Sequence, residues 1–247
     1  LKKTTIFKKG DFNGQFFQAG VSELTMAAIA NGMALHGGVI PVVGTFFVFS
    51  DYMKPALRLS ALMELHVVYL WTHDAFRVGE DGPTHQPVEQ EAQLRLMEHL
   101  KNHSGNPSVL ALRPCDSEET TIAWKLALEN TSTPSALVLS RQNIKTLPGN
   151  SGSRKEEAKQ AKLGGYVVKD AENAQVVLIA NGSEVATLVD GAELLSAKGI
   201  NAKVVSVISE GLFRKQSTEY QEEVLPNDIP RYGLTAGLPV SLLSLVG

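Results

Sequence analysis

Val67-Val68-Tyr69-Leu70-Trp71, then Thr72-His73, then Gly79-Glu80-Asp81-Gly82-Pro83-Thr84-His85-Gln86-Pro87 and the amphipathic run 88–100 decide how this 247-residue chain is read. The first run is short, continuously apolar and rich in β-branched and aromatic residues, which reads as a buried strand. The last has helical spacing. Between them, Gly79, Gly82, Pro83 and Pro87 fix an irregular backbone whose polar groups include Asp81 and His85. Plain turns use the same residues, so the loop by itself is either a connector or a functional loop.

The same alternation extends in both directions. Residues 39–43 read as a strand and 52–64 as a helix; 109–112, 118–129 and 136–139 repeat strand, helix, strand. Short apolar strands alternating with amphipathic helices specify an α/β fold, a doubly wound and mostly parallel sheet ending near Arg141. Leu147-Pro148-Gly149-Asn150-Ser151-Gly152-Ser153 is rich in turn formers, and 154–162 is highly charged. Strands at 176–180 and 202–207 flank a helix at 184–198. The expected organisation is one domain over 1–148, a linker over 149–164, and a smaller α/β domain over 165–247. Both chain ends, Leu1-Lys2-Lys3 and Leu245-Val246-Gly247, read as cuts through a longer protein.

Composition narrows the function classes. Hydrophobic residues make up 43% and charged residues 20%, the profile of an ordinary globular protein. A formal net charge of −3, with no basic stripe among the aromatics, argues against nucleic acid. No apolar run reaches the roughly 18 residues of a membrane helix. The single cysteine, Cys115, excludes an intrachain disulfide, so a reducing, cytoplasmic setting is expected.

In open α/β sheets, ligands gather beyond the carboxyl ends of strands. The strand 39–43 is followed by Phe46, Phe47, Phe49 and Tyr52. Strand 67–71 leads to His73 and the 79–87 loop, and strand 136–139 leads to Arg141, Gln142 and Asn143. Aromatics, two histidines, acids and an arginine therefore converge on one rim.

Five blocks, in order, then carry a resemblance: Asn31-Gly32-Met33-Ala34-Leu35-His36-Gly37-Gly38, Gly44-Thr45-Phe46-Phe47-Val48-Phe49-Ser50-Asp51-Tyr52, the 79–87 loop, Leu112-Arg113-Pro114-Cys115-Asp116 and Ser140-Arg141-Gln142-Asn143. They are similar to the pyrimidine-binding domain of transketolases. Ala180-Asn181-Gly182-Ser183-Glu184-Val185 resembles that family's C-terminal domain more weakly. The resemblance implies the thiamine diphosphate-binding fold of pyrimidine type, entered after its first strand, and two-carbon ketol transfer between sugar phosphates.

It also implies roles. Glu23 matches the carboxyl that hydrogen-bonds the cofactor's pyrimidine nitrogen and activates its thiazolium carbon; read alone, it is a glutamate favoured by a helix macrodipole. Phe46, Phe49 and Tyr52 match the aminopyrimidine pocket, with Phe49 as the stacking ring, whereas Phe47 reads as core. His85 matches a histidine that bonds sugar oxygens and moves protons. His73 and Arg141 match phosphate-binding groups, a task suited to arginine's planar fork. Asp81 matches an acid receiving a substrate hydroxyl. Ser22 and Leu24 depart from the arginine and histidine frequent there, and Arg77 stands where a small residue is common.

Elsewhere the signals are weaker. His99 and His103 have i, i+4 spacing without a third metal ligand, so a solvated helix end is the expectation. Cys115 receives no chemistry, and Arg113 reads either as a second anion contact or as an ion pair with Asp116 or a glutamate. Nothing resembles the family's diphosphate-binding domain, which holds Mg2+ or Ca2+. The chain is thus expected to be inactive alone and to work as a homodimer or with a partner bearing that domain. The alternatives are a non-catalytic half-module and a 1-deoxyxylulose-5-phosphate synthase, which shares the glutamate and the Asp-Gly-Pro-Thr-His loop.

Overall fold

The computed structural model describes residues 4–75, 77–150 and 152–246. Leu1, Lys2, Lys3 and Gly247 of the chain ends, Phe76, and Ser151 of the turn-rich linker lie outside the described residues.

The first sheet is four-stranded and parallel. Its strands β1 (Val42–Phe46), β2 (Val68–Thr72), β3 (Leu110–Leu112) and β4 (Ser135–Val138) stand in the order β1-β2-β4-β3. Parallel strands are covered on both faces, which is why they read as unbroken apolar runs. On one face, α1 (Glu23–His36), α2 (Ser50–Leu62) and α3 (Gln90–His99) bury Ala27, Met53, Leu57 and Leu94 against Tyr69, Trp71 and Ala136. On the other, α4 (Ser117–Glu129) packs Ala123 and Ala127 against Val68, Leu112 and Leu137. A buried polar knot ties helices to sheet: Asn31 of α1 donates to Ala56 O at 2.9 Å and accepts from Ser60 Oγ at 2.5 Å, and Ser60 Oγ lies 2.7 Å from the Tyr69 hydroxyl.

One strand begins later than its hydrophobicity suggests. The expected 39–43 strand is β1, Val42–Phe46, because Gly37 and Gly38 both take positive φ (85° and 84°) and keep the chain turning after α1. Phe46 is therefore the last residue of the strand rather than a residue beyond it.

After the linker come α5 (Arg154–Glu157) and a 3-10 turn, Ala158–Leu163. A second four-stranded sheet follows, built from β5 (Tyr166–Lys169), β6 (Val176–Ala180), β7 (Ala202–Ser206) and β8 (Arg231–Gly233). Its order is β5-β7-β6-β8, with only β5 antiparallel. Helices α6 (Glu184–Ser196), α7 (Glu210–Phe213), α8 (Thr218–Val224) and α9 (Leu243–Val246) cover it. The two sheets share one core, since Leu112, Ala123 and Leu137 belong to the same apolar cluster as Tyr166, Leu178, Val185 and Val204.

The charged stretch after the linker is not wholly solvated. Arg154 turns inward and donates from Nε to Asp116 Oδ2 at 2.7 Å and from Nη1 to the Tyr166 hydroxyl at 2.6 Å. Tyr166 in turn donates to Glu119 Oε1 at 2.8 Å.

Candidate active site

Strand order builds the rim. β1, β2 and β4 are neighbours, Phe46 pairs in register with Thr72, and Trp71 with Val138. The chain segments leaving these three carboxyl ends are consequently adjacent. The Phe46 ring stacks on the His73 imidazole with centroids 3.5 Å apart and planes at 21°. Phe49, in the single 3-10 turn joining β1 to α2, lies near-parallel to Phe46 (6.2 Å, 16°) and to Tyr52 (6.0 Å, 21°). His85 presents its edge to Phe49 at 5.2 Å and to Phe46 at 6.2 Å. Five of the residues singled out in the sequence thus form one ring cluster, half-buried except for Tyr52, which is 61% exposed. Phe47 points the other way, 1% exposed, and packs on Trp71 at 5.7 Å.

His73 holds the conformational strain of the rim. Its φ of +59° is left-handed for a residue with a Cβ, which costs on the order of 1–3 kcal/mol and persists only where the surroundings over-determine it. Thr72 Oγ1 lies 2.9 Å from its Nδ1. Burial pushes the imidazole below its ordinary pKa; the Asp81 carboxylate opposes this, while the Arg141 and His85 charges add to it. All three groups therefore act on His73 electrostatically.

The 79–87 loop owes its shape to its glycines. Gly79 (φ +88°) lies flat against the Arg141 guanidinium, so that a Cβ there would sit 3.1 Å from Cζ and Nη2. Gly82 (φ +73°) opens the 3-10 turn Pro83–His85, and Gly82 O accepts from the His85 amide at 3.1 Å. Thr84 Oγ1 lies 2.8 Å from His85 Nδ1. The loop's far end is pinned by Gln90, whose Nε2 donates to Asp51 Oδ2 and whose Oε1 accepts from the Val88 amide, both at 2.9 Å.

Glu23 is the first residue of α1, and its half-buried carboxylate makes no hydrogen bond or ion pair to a described residue. No ring contact links it to the cluster. A flat, nitrogen-bearing aromatic group fits this donor set: near-parallel phenyl rings offer π faces, and an unpartnered carboxylate can accept from, or hold a proton against, a ring nitrogen.

Of the two readings of Arg113, the ion pair with a glutamate is the one found. Arg113 is 2% exposed and pairs with Asp74, Glu91 and Glu184, not with Asp116, so it is no anion contact. Asp116 instead caps α4 and pairs with Arg154. Cys115 is fully buried and its thiol is pushed well up, first by burial. α3 stops at His99, so His103 lies beyond the helix; among the described residues no group of three His, Cys, Asp or Glu is placed to hold a metal. Sequence reading missed Asp74 altogether. Its position directly after His73 was the available signal.

Comparison with known proteins places these features. Residues 2–146 match the transketolase pyrimidine-binding domain and 164–247 the transketolase-like C-terminal domain. A transketolase of Halalkalibacterium halodurans is 46% identical over 248 residues, covering 100% of this chain and 35% of that protein. A Pichia stipitis transketolase, solved in complex with sedoheptulose 7-phosphate, superposes with a TM-score of 0.84 at 38% identity, over 96% of this chain and 34% of that one. A split-gene transketolase, solved as an inactive β4 tetramer, superposes with a TM-score of 0.68 at 26% identity, over 94% of this chain and 70% of that one. The chain spans about a third of the length of the curated relative it matches, and with both of its sheets assigned to transketolase domains it belongs to the transketolase family.

Proposed function

We propose that this chain supplies the ring-binding and substrate-gripping part of a thiamine diphosphate-dependent transketolase, moving a two-carbon ketol unit from a ketose phosphate to an aldose phosphate. The observation that carries the reading is the convergence of Phe46, Phe49, Tyr52, His73, His85, Asp81 and Arg141 on one rim, beside a helix that begins with an unpartnered carboxylate. Thiamine diphosphate, when bound, supplies the carbon nucleophile.

The chain's own residues then divide the remaining work. Phe49 and Tyr52 stack on the cofactor's pyrimidine ring and exclude water, which strengthens any hydrogen bond made there. Glu23 holds a proton against the ring nitrogen. Arg141 and His73 grip the sugar phosphate, Asp81 accepts from a sugar hydroxyl, and His85 moves protons at the sugar oxygens. The diphosphate and its Mg2+ or Ca2+ belong to residues outside these 247. Similarity to a transketolase along the whole of this chain favours ketol transfer over the deoxyxylulose phosphate synthase alternative. Cytoplasmic location is part of the same proposal.

A dimer is part of the reading too. α1 and the turn after it expose Leu24, Met33, Leu35, Val39 and Ile40 between 41% and 61%, apolar surface of the kind that an interface covers. A second reading, that the chain is a half-module acting only with a diphosphate-binding partner, is supported by its likeness to the split-gene structure. The coding sequence next to this one separates the two: a diphosphate-binding domain in the same frame favours the single chain.

The decisive variant is Glu23→Gln in the complete enzyme. Turnover is expected to fall by about 10²-fold or more, as for loss of a general acid–base group, while cofactor stays bound by calorimetry. Turnover near the parent value means the activating acid lies elsewhere.

A further inference from the structure

Behind the rim lies a buried polar bridge that the proposed chemistry does not use. Asp74, directly after the strained His73, is 7% exposed, and its Oδ2 accepts from both Arg113 Nε at 3.0 Å and Arg113 Nη2 at 2.9 Å. Its Oδ1 has no partner among the described residues, so Arg113 alone holds this carboxylate. Arg113 immediately follows β3, yet most of what fixes it comes from the C-terminal domain, from the segments that leave β6 and β7. Its backbone donates to Ile208 O at 2.9 Å and accepts from the Gly182 amide at 3.0 Å. Its guanidinium donates from Nη1 to Asn181 Oδ1 at 2.5 Å and from Nη2 to Glu184 Oε2 at 2.6 Å, with Glu91 at 3.4 Å. Asn181 also donates to Glu91 Oε1 at 2.7 Å, closing the ring of contacts.

Gly182 shows how tightly the bridge is built. Its φ is +57°, and a Cβ would lie 2.7 Å from Arg113 Nε, so the guanidinium rests directly on that backbone. The Asn181-Gly182-Ser183-Glu184 turn is thus shaped around Arg113.

We infer that Arg113 is a positioning residue: by clamping Asp74 it holds the left-handed backbone of His73, and Asn181 and Glu184 set that clamp from the C-terminal domain. The second domain thereby tunes affinity for the sugar phosphate. A left-handed histidine needs an external restraint on at least one side. On the N-terminal side the β2 ladder supplies it, and on the C-terminal side the Asp74–Arg113 pair does. Displacements of the order of 1 Å far from the reacting atoms suffice to impair positioning. The inference rests on the assignment of His73 to substrate.

Arg113→Ala would leave the buried carboxylates of Asp74 and Glu184 without a cation, so the test uses milder changes, Glu184→Gln and Asn181→Ser, in the complete enzyme. Nuclear magnetic resonance of the His73 imidazole reads its titration without turnover. Loosening the clamp is expected to let water reach the ring, raising its midpoint toward 6.5, with the Asp81 carboxylate aiding the rise and the Arg141 and His85 charges opposing it. The KM of the phosphorylated ketose should rise roughly tenfold with kcat much less changed, and the KM of the same ketose without phosphate should stay put. An unmoved His73 titration and unmoved KM, with only the unfolding midpoint lowered, overturn the inference and leave Arg113 a structural tie. A His73→Ala control separates the premises. If it leaves the phosphorylated ketose's KM unchanged, the substrate role of His73 fails, while the resonance arm still decides the clamp.

Discussion

Gly79→Ala tests the rim where geometry makes the consequence calculable. The new Cβ must lie 3.1 Å from Cζ and Nη2 of Arg141 and 3.4 Å from Nε, at a backbone φ of +88°. Left-handed backbone costs an alanine about 1–2 kcal/mol, a cost felt mainly by the exposed loop rather than by global unfolding. The guanidinium is the far end of a flexible side chain, so it yields by a few tenths of an ångström. A charge-assisted hydrogen bond contributes about 1.5–3 kcal/mol net. Misaligning half of one such bond to the proposed substrate phosphate loses about 0.8–1.5 kcal/mol, or about four- to thirteenfold in KM. The assay compares steady-state KM for a ketose phosphate with that for the same sugar lacking phosphate; only the first should rise. In an Arg141→Ala background the glycine change should add little further, because the pair acts as one unit. Equal KM changes for both sugars, or an undiminished effect in that background, refute the reasoning.

Two further outcomes follow from burial alone. Phe47→Ala should cost about 3–5 kcal/mol in urea unfolding, the usual price of emptying a buried aromatic site, because Phe47 is 1% exposed against Trp71; Phe49→Ala, in the half-buried cluster, should cost less stability yet weaken thiamine diphosphate binding in calorimetry. Arg154→Met removes the cation from two acids, Asp116 at 2.7 Å and Glu119 at 3.5 Å, whose side chains are both 0% exposed. Stranding them should lose about 3–5 kcal/mol, with partial recovery when Asp116→Asn is added; a loss under about 1 kcal/mol would show that the linker is not anchored there.

How much of this was legible in the sequence follows from what each feature's signal depends on. The strands at 68–72, 110–112, 135–138, 176–180 and 202–206 are buried on both faces and announce themselves as apolar runs. Val39 and Ile40 produce the same signal falsely, since two left-handed glycines delay the strand and leave both side chains exposed at 54% and 47%. β5 and β8 were not read: one has half-exposed Lys169, and the other is a three-residue strand carrying Arg231 and Tyr232, 65% exposed. The rim was readable because the carboxyl-end rule needs only strand positions. Asp74, Asn181 and Glu184 were not, since their contacts to Arg113 span 39 to 71 residues and no local pattern encodes a partner so distant.

The strand order explains why Arg113 and Arg141, each just past a strand of the same sheet, have opposite fates. In the order β1-β2-β4-β3, the strand before Arg141 sits beside β2, so its loop reaches the open rim. β3, the strand before Arg113, is an edge, and an exposed edge must be covered. Glu98 of α3 and the segment after β7 cover it, with Glu98 Oε1 accepting from the Ala111 amide, Ile208 O accepting from the Arg113 amide and the guanidinium sealed at 2% exposure. The opposite edge, β1, has no outer strand among the described residues. It is flanked by α1, which begins with Glu23 and exposes Leu24, Met33 and Leu35. One edge is thus closed within the chain and the other is flanked by exposed apolar side chains of α1, so the proposed second subunit is assigned to the β1 side, where Glu23 still lacks a partner.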